Sequence, residues 1–221
     1  TVALDADGQP RYTIHENVAW DRIEANRQAL NAAADADAIC FGSLSQRSEA
    51  TREAVHNLLG AARPGVLRVF DVNLRPPFID REVIEESLER ADVLKLNDQE
   101  LPILASMFGV SGTDREAILG LVKRFDLRAV ALTRGAEGSL LLQGEQWSEH
   151  AGRRIDVRDT IGAGDAFTAA LIVGLLAGRP LDEINRHAND VAAFVCSQAG
   201  GTPSLPESLK VFSVISPEER S

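Results

Sequence analysis

Short apolar segments alternate with longer amphipathic segments along most of the chain. The short segments predict buried strands, and the longer ones, with apolar residues every three to four positions, predict helices. The predicted strands are Ala38–Phe41, Val66–Val72, Val93–Leu96 and Ala129–Thr133, and the predicted helices are Ser48–Ala62, Arg81–Arg90, Asp98–Phe108 and Asp114–Phe125. Because such alternation is typical of a mostly parallel sheet covered on both faces, the pattern predicts an α/β protein.

The segments at both ends of this alternation have other patterns. An Asp-Gly dipeptide between two β-like segments predicts a hairpin at the start of the chain, and a second hairpin is predicted to close the sheet. One further helix precedes the alternation and two long helices follow it. The hairpin strands are Thr1–Leu4 with Arg11–Ile14 and Gly138–Leu142 with Gln146–Glu149, and the three helices are Trp20–Ala34, Ala163–Ala177 and Leu181–Cys196. We predict one domain, from Asp35 to about Val211, with the first hairpin as an appendage.

Composition and charge narrow the classes of partner and the compartment. The 221 residues carry a formal net charge of −10, which disfavours nucleic acid or an anionic membrane as the main partner. The longest apolar run, Ala166–Gly178, is shorter than the roughly 20 residues that a membrane span needs, and Thr1–Pro10 lacks the features of a signal peptide. Cys40 and Cys196 have apolar neighbours and are predicted to be buried free thiols in a reducing compartment. We therefore expect a cytoplasmic protein.

Small residues stand directly before one of the long predicted helices, in the stretch Asp159-Thr160-Ile161-Gly162-Ala163-Gly164-Asp165. Glycines at a loop-to-helix junction let the backbone approach a ligand closely, and the free N–H groups and dipole of a first helical turn attract anions. Asp165 would lie beside this phosphate cradle as an acceptor. The combination suggests phosphoryl transfer to a hydroxyl group, with the carboxylate as the base.

Two other interpretations of this stretch are an ordinary turn and a dinucleotide site. A strand-to-helix turn with Asp165 as a cap fits the same residues and stays open. A dinucleotide-binding fingerprint is disfavoured, because Phe167 occupies its third small position and residues 153–160 are polar. The sequence contains no phosphate-binding loop of the Gly-x-x-x-x-Gly-Lys-Ser/Thr type, which excludes that class of enzyme.

Further polar segments follow the predicted strands, where the ligands of open α/β sheets gather. Asp71, Asn73 and Arg75 alternate, so in an extended segment they would point the same way. Such a comb could hold several sugar hydroxyls, and Arg75 could also bind a phosphate. A turn with a capping aspartate and a solvated arginine is an equally good interpretation.

The next two strands are also followed by candidate ligand-binding groups. Asn97 and Glu100 suit hydrated Mg²⁺, which keeps its waters and takes few protein ligands, although a helix start capped by Asn97 or Asp98 fits equally well. Residues 133–138, Thr-Arg-Gly-Ala-Glu-Gly, offer N–H and hydroxyl donors in a flexible loop or form a plain hairpin turn.

In this order and spacing, the four segments resemble the signatures of the ribokinase-like sugar kinases, also called the PfkB carbohydrate kinase family. The resemblance covers essentially the whole chain, up to Gly200-Gly201-Thr202-Pro203-Ser204. It implies a ribokinase-like three-layer α/β/α fold with a mostly parallel central sheet. Residues 1–14 would be the remnant of a small β lid, and residues 15–221 would form the kinase domain. ATP and a sugar would be the substrates and Mg²⁺ the cofactor, with K⁺ used by many members.

The resemblance also implies a role for each candidate residue. Asp165 would take the proton from the sugar hydroxyl, and the N–H groups of Gly162, Ala163 and Gly164 would form an anion hole for the phosphates. The remaining implied roles are the ordering of Mg²⁺ by Asn97 and Glu100, nucleotide binding by Thr133, Gly135, Gly138, Asn189 and Asn97, substrate binding by Arg75, Asn73, Asp71 and Asp165, and a monovalent-cation site at Asp159, Ile161 and the Cys196–Leu205 loop.

Three segments narrow the substrate class. Phe41–Ser48, Asp71–Arg75 and Tyr12–Asp21 look most like those of fructokinases. Kinases of 2-keto-3-deoxygluconate, other sugar acids or nucleosides share the fold, as would a non-catalytic sensor of sugar or nucleotide. The complete glycine loop and the retained base disfavour the sensor, because a sensor needs no base.

One departure from the family concerns the start of the chain. Family members begin with a strand, a substrate-contacting acidic residue and a Gly-Gly turn ahead of the hairpin, and these do not precede residues 1–14 here. That part would supply a central strand, part of the lid and much of the sugar pocket. We therefore expect an exposed sheet edge and weak or no activity from these 221 residues alone. The resemblance also suggests a homodimer paired through the lid.

Overall fold

The protein is described here from a computed structural model, which covers the backbone of residues 2–4 and 10–210 and the side chains of residues 13–210. Val2–Leu4 (β1) and Pro10–Tyr12 (β2) form a separate two-stranded antiparallel sheet. This pairing agrees with the predicted hairpin, although β2 begins and ends earlier than expected. The predicted Asp7-Gly8 turn, Thr1 and the residues from Val211 onward lie outside the described residues.

The main sheet has six strands, in the order β3-β4-β5-β6-β7-β8. They are Ala38–Gly42 (β3), Leu67–Asp71 (β4), Val93–Asn97 (β5), Ala129–Thr133 (β6), Ser139–Gln143 (β7) and Gln146–His150 (β8). The first four are parallel, and β7 and β8 continue the sheet as an antiparallel hairpin. The predicted mostly parallel α/β architecture is therefore confirmed. The carboxyl ends of β4, β5 and β6 meet at one edge of this sheet.

The described residues include seven α-helices: Arg27–Asp35 (α1), Glu49–Ala61 (α2), Arg81–Arg90 (α3), Glu100–Phe108 (α4), Asp114–Phe125 (α5), Ala163–Leu176 (α6) and Leu181–Cys196 (α7). Side chains cap several of them. Asp80 accepts the N–H groups of Glu82 and Val83 at the start of α3, and Thr113 forms a capping box with Glu116 at the start of α5. Among the described residues, no helix is both long and apolar enough to cross a membrane.

The helix predicted over Trp20–Ala34 is wrong in its first half. Ala19–Arg22 form a single 3₁₀ turn, and α1 begins only after Asn26, whose side chain accepts the N–H of Ala29. Between them, the N–H of Ile23 donates to Thr51 Oγ1 instead of to a helical carbonyl. A capping residue inside the segment and a side-chain acceptor on α2 therefore divide the predicted helix.

Two hydrophobic cores lie on opposite faces of the main sheet. Adjacent strand residues point to opposite faces, so that Phe70 and Leu94 enter the core shared with α2, α3, α4 and α5, whereas Val69 and Val93 enter the core shared with α6 and α7. The result is a three-layer α/β/α arrangement. It places the start of α6 beside the carboxyl ends of the parallel strands, where the predicted site lies.

Candidate active site

The first turn of α6 has the geometry of an anion-binding site. Gly162 is the N-cap of this 14-residue helix and has a φ of 80°, a left-handed conformation that favours glycine. A Cβ atom at Gly162 would stand 2.2 Å from the carbonyl oxygen of Gly201, so the two backbone segments can approach each other only because this residue is glycine. The N–H groups at the start of the helix therefore lie on a tightly packed loop, and the helix dipole favours an anion there.

Asp165 lies in this first turn and its side chain is exposed. It lines two cavities, one of about 440 Å³ and one of about 470 Å³. Gly162 lines only the second of them, so the N-cap and the carboxylate share that side. A group at this position can reach molecules bound in both cavities, which is the arrangement that a base between an acceptor and a phosphoryl donor requires.

The first cavity combines polar groups at the sheet edge with an apolar wall. The polar contributions include Asp71, Asn73 and Ser43. Trp20, which is 43% exposed, also lines the cavity. Its full lining is Trp20, Cys40, Phe41, Gly42, Ser43, Leu44, Ser45, Asp71, Asn73, Asp165, Thr168, Ala169 and Ile172. Hydroxyl, amide and carboxylate groups beside an aromatic surface suit a small polyhydroxylated ligand.

The second cavity, on the other side of α6, is mostly apolar. Besides Gly162 and Asp165, its wall comes from α6, α7 and the loop that begins at Gly201. His187 of α7 belongs to this wall, and partial burial lowers the pKa of its imidazole. A neutral imidazole among apolar side chains suits a flat, weakly polar ligand group better than a second charged one.

The prediction that Asp71, Asn73 and Arg75 form an extended comb is wrong. Asn73 has a φ of 47°, so the chain turns there and does not stay extended. Asp71 and Asn73 line the first cavity, but Arg75 does not, and Arg75 Nη1 donates instead to the carbonyl oxygen of Leu74. A left-handed asparagine after a strand is a turn feature that residue alternation alone does not reveal.

Glu100 and Asn97 lie together, but their polar atoms are largely occupied by the backbone. Glu100 is 4% exposed, and its two carboxylate oxygens accept the N–H groups of Leu74 and Asn97, each at 2.8 Å. Asn97 Oδ1 accepts the N–H groups of Gln99 and Glu100 at the start of α4. Asn97 therefore holds the turn before α4, but the N-cap of this helix is Gln99, not Asn97 or Asp98. The pair fits Mg²⁺ only through water molecules. The described part of the chain contains no cluster of three or more His, Cys, Asp or Glu side chains suited to direct metal binding.

The predicted nucleotide loop follows β6, next to the end of β5. Asn97 and Thr133 are directly paired in the parallel register. Gly138 is glycine for a structural reason, because it has a φ of 80° and a Cβ atom there would stand 2.0 Å from the carbonyl oxygen of His150. Gly135 is exposed and has no such neighbour. The lining of the two cavities beside Asp165 includes none of these loop residues.

Asn189 is directed towards the sheet. Its side-chain amide donates to Ser139 Oγ at 2.7 Å and to the backbone and side-chain oxygens of Asn185. The residue is 8% exposed and lines neither of the two cavities at Asp165. Its predicted contact with the nucleotide therefore stays a prediction, and its observed role is to join α7 to β7.

The segments predicted to bind a monovalent cation lie against each other. The two carboxylate oxygens of Asp159 accept the N–H groups of Ile161 and Gly200. The carbonyl oxygen of Cys196 accepts the N–H groups of Arg158 and Asp159. Asp159 thus connects the loop before α6 to the loop after α7, and a cation role for it and Ile161 stays a prediction.

The prediction that Cys40 is a buried thiol is wrong. Both cysteines are free, but Cys40 is exposed and lines the first cavity, and Cys196 is half-buried. The protein around the cavity desolvates the Cys40 thiol and, together with the charges of Asp71 and Asp165, raises its pKa to about 11, against a smaller opposing effect of Lys95. The sequence misled because β3 has a neighbouring strand on only one side among the described residues.

Sequence reasoning also missed two residues next to the site. Lys95 of β5 is 7% exposed and forms an ion pair with Asp71, and Thr168 of α6 is 3% exposed and bonds to the same carboxylate. A lysine inside the apolar segment Val93–Leu96 was the available signal, because a charged side chain in a buried strand requires an opposite charge.

The fold and the position of these groups define an α/β protein whose candidate site lies at the carboxyl edge of a parallel sheet. Comparison with known proteins gives the same class. The family model of the pfkB family carbohydrate kinases matches residues 2–208. The chain therefore belongs to the PfkB carbohydrate kinase family.

Individual relatives support this assignment. The chain is 31% identical over 211 residues to the uncharacterized sugar kinase PH1459 of Pyrococcus horikoshii and 28% identical over 220 residues to fructokinase-2 of Zea mays, covering 91% and 93% of this chain. It spans 64% of the length of each of these relatives. The crystal structure of PH1459 in complex with ATP superposes with a TM-score of 0.73 at 28% identity, over 87% of this chain and 62% of that one. Ribokinase of Thermotoga maritima superposes with a TM-score of 0.73 at 22% identity, over 96% and 67% of the two chains, which confirms the ribokinase-like fold.

Proposed function

We propose that the protein is an ATP-dependent sugar kinase that transfers the γ-phosphoryl group to a sugar hydroxyl, with fructose as the first candidate substrate. The observation that carries the proposal is the position of Asp165. Its exposed carboxylate lies in the first turn of α6 and lines both cavities, with the N-cap Gly162 on one side. The similarity to a maize fructokinase and to an archaeal sugar kinase supports the same class.

The sugar is assigned to the cavity that Asp165 shares with Asp71 and Asn73. Asn73 and the serines of the loop after β3 can hydrogen-bond to hydroxyl groups, and Trp20 gives the ring an apolar surface. This cavity also holds two carboxylates, so a neutral sugar fits it better than a sugar acid. The oxygen-rich, partly apolar lining distinguishes it from the second cavity.

The reaction needs one proton transfer and one displacement. Asp165 removes the proton of the sugar hydroxyl as the hydroxyl oxygen forms a bond to the γ-phosphorus, and the bond from that phosphorus to the bridging oxygen of ADP breaks. The N–H groups of Gly162, Ala163 and Gly164 stabilise the charge on the phosphate oxygens. Because little covalent chemistry falls to the protein, positioning and charge neutralisation supply most of the rate enhancement.

The nucleotide and the ions are assigned to the edge where β5 and β6 end. Thr133, Gly135 and Gly138 would hold the nucleotide, and Asn97 and Glu100 would order the waters of Mg²⁺, which lowers the charge of the phosphates when bound. Asp159 and Ile161 remain the candidate K⁺ site. A homodimer formed through the β1–β2 lid and a cytoplasmic location belong to the same proposal, as does the division into a lid at residues 1–14 and a kinase domain at residues 15–221.

The proposal is tested by measuring ADP formation by the full-length protein with Mg²⁺ and a panel of acceptors. The panel contains fructose, other hexoses, 2-keto-3-deoxygluconate, adenosine and inosine, and a reaction without acceptor gives the background. We expect fructose or a close ketose to give the highest kcat/KM. A higher value with a nucleoside would replace the sugar assignment, and saturable sugar binding without ADP formation would identify a sensor.

A further inference from the structure

One charged side chain of the main sheet, that of Lys95, is buried. Lys95 is in the interior of β5 and is 7% exposed. An isolated buried ammonium group would be costly, so it needs a compensating anion. Its Nζ atom lies 3.1 Å from Oδ1 of Asp71, at the end of the neighbouring strand β4. Two parallel strands of the sheet are thus linked by an ion pair directly below the first cavity.

The carboxylate of Asp71 also contacts α6, the helix that carries Asp165. Asp71 Oδ2 lies 2.8 Å from Oγ1 of Thr168, one turn into α6. The Thr168 hydroxyl is also 2.9 Å from the carbonyl oxygen of Gly164, so it can donate its single proton to either acceptor. The ionised carboxylate is the stronger acceptor of the two. Asp71 therefore uses one oxygen for the sheet and the other for the helix.

Lys95 is close to the helix as well. A Cβ atom at Gly164 would stand 3.3 Å from Lys95 Nζ. The ammonium group therefore lies directly beneath the turn that carries Asp165. A side chain at Gly164 would therefore crowd the lysine ammonium group.

We propose that Lys95, Asp71 and Thr168 form a buried bridge that fixes the first turn of α6 against β4 and β5 and thereby positions Asp165 between the two cavities. The catalytic part of this inference rests on the proposed function, whereas the structural part does not. All three are positioning residues, because each acts on Asp165 through the helix. Asp71, although it lines the sugar cavity, then serves to hold the helix and not to bind the sugar.

The bridge explains why the site tolerates a buried ion pair. Such a pair adds little to the net stability of a fold, but it has defined geometry and is costly to break on one side only. In this protein it joins three elements whose relative position decides where the base lies. An error of about 1 Å in the position of a catalytic group can lower the rate about 100-fold, so a rigid connection at this point has a direct effect on turnover.

The first test compares Thr168→Val with Thr168→Ser. Valine keeps the shape of threonine and removes the hydroxyl, and serine keeps the hydroxyl. Hydrogen exchange of the amides of residues 166–168 is measured by mass spectrometry or NMR on the 221-residue chain, with the amides near Ala177 at the other end of α6 as an internal control. We expect Thr168→Val to exchange roughly ten times faster at residues 166–168 only, and Thr168→Ser to behave like the parent.

The second test uses kcat in the full-length protein. Thr168→Val should lower kcat about 10- to 100-fold with an unchanged KM for ATP, and Thr168→Ser should restore most of it. The double variant Lys95→Met with Asp71→Asn removes the ion pair without leaving a buried charge. It should likewise raise the exchange rate at residues 166–168 and lower kcat.

The two tests fail in different ways. Unchanged exchange at residues 166–168 in Thr168→Val would overturn the bridge, whatever the activity. Faster exchange with an unchanged kcat would overturn its positioning role. If no acceptor of the panel is phosphorylated by the parent protein, the proposed function fails, and the exchange measurement still decides whether the bridge exists.

Discussion

Two aspartates line the same cavity in opposite surroundings. Asp71, at the end of β4, is 9% exposed, and its oxygens bond to Lys95 and Thr168. Asp165, in the first turn of α6, is exposed, and within the described residues its carboxylate has no hydrogen-bond or ion-pair partner. The oxygens of Asp71 are engaged by protein groups, whereas those of Asp165 can reach a hydroxyl group of a bound ligand. Surroundings therefore separate a structural acid from a candidate base of the same residue type.

The comparison extends to Glu100, which is also buried and accepts two backbone N–H groups. Of the four acids that the sequence placed in the site, three are committed to holding loops and helices in position, because Asp159 also accepts two backbone N–H groups. Asp165 alone has its carboxylate oxygens available to a ligand within the described part of the site. Four measurements can test this difference between the carboxylates and the geometry of the site around Asp165.

The largest effect is expected from removing the available carboxylate. Asp165→Asn should lower kcat about 100- to 10,000-fold, the usual range for a general base, while the binding of ATP is nearly unchanged because the side-chain volume is retained. Asp182→Asn is the matched control, since Asp182 is an exposed acidic residue in the first turn of α7. Steady-state kinetics and an ATP titration measure both. A loss of only a few-fold in Asp165→Asn would contradict its assignment as the base.

The next effect concerns the backbone that carries Asp165. Gly162→Ala should lower the melting temperature clearly more than Gly200→Ala. The two glycines have nearly the same φ, 80° and 81°, but only at Gly162 would the Cβ atom meet another backbone segment, at 2.2 Å from the oxygen of Gly201. The strain of a left-handed alanine, about 1–3 kcal/mol, is common to both variants. The difference between their melting temperatures therefore reports the close contact of Gly162 with Gly201. Equal melting temperatures, recorded by circular dichroism, would show that the two loops are not packed as described.

A smaller effect should be visible at Cys40, whose thiol lies near both aspartates. Its pKa of about 11 leaves roughly 100-fold less thiolate at pH 8 than an ordinary cysteine has, so its alkylation by iodoacetamide should be slow although the residue is exposed. Asp165→Asn removes a negative charge that raises this pKa and should accelerate the reaction. The Cys196→Ser background isolates the Cys40 signal, and the urea-unfolded chain gives the unperturbed rate. A folded-state rate equal to that of the unfolded chain would refute the raised pKa.

The smallest effect is expected in the fluorescence of Trp20, which lines the first cavity. The chain has two tryptophans. The other one, Trp147 of β8, packs against the guanidinium group of Arg115. In a Trp147→Phe variant, the substrate sugar should change the Trp20 emission with saturation, and ATP alone should change it much less. A saturable response to ATP alone, with no response to the sugar, would contradict the assignment of the sugar to the first cavity.

The elements with clear local signals could be predicted from the sequence. The bounds of α3, α5, α7 and β6 agree with the expected ones, because the apolar pattern of each segment is local in the sequence. The capping residues of α3 and α5 also lie directly before these helices. The family and the fold followed from four motifs that each end a strand or begin a helix. The helix over Trp20–Ala34 failed because Asn26 caps a new helix inside it.

The surroundings of the site residues were harder to predict because they depend on distant partners. Thr168 and Asp71 are separated by 97 positions in the sequence, and Lys95 and Asp71 by 24. The sequence contains no local sign that Asp71 would be shared between a strand and a helix. The turn at Asn73 and the committed oxygens of Glu100 likewise arise only when β4, β5 and α4 come together.

Each strand of the main sheet supplies alternate side chains to two cores, and this has a consequence for folding cooperativity. If the layer of α6 and α7 separated, Val69 and Val93 would be exposed to water while Phe70 and Leu94 remained covered. Both helical layers thus pack on the same sheet, and the free energy needed to unfold one layer alone is high. Away from its N-terminal end, the helix that carries Asp165 therefore unfolds together with the domain. Substitutions deep in the opposite layer would reach the site mainly by lowering the population of folded molecules.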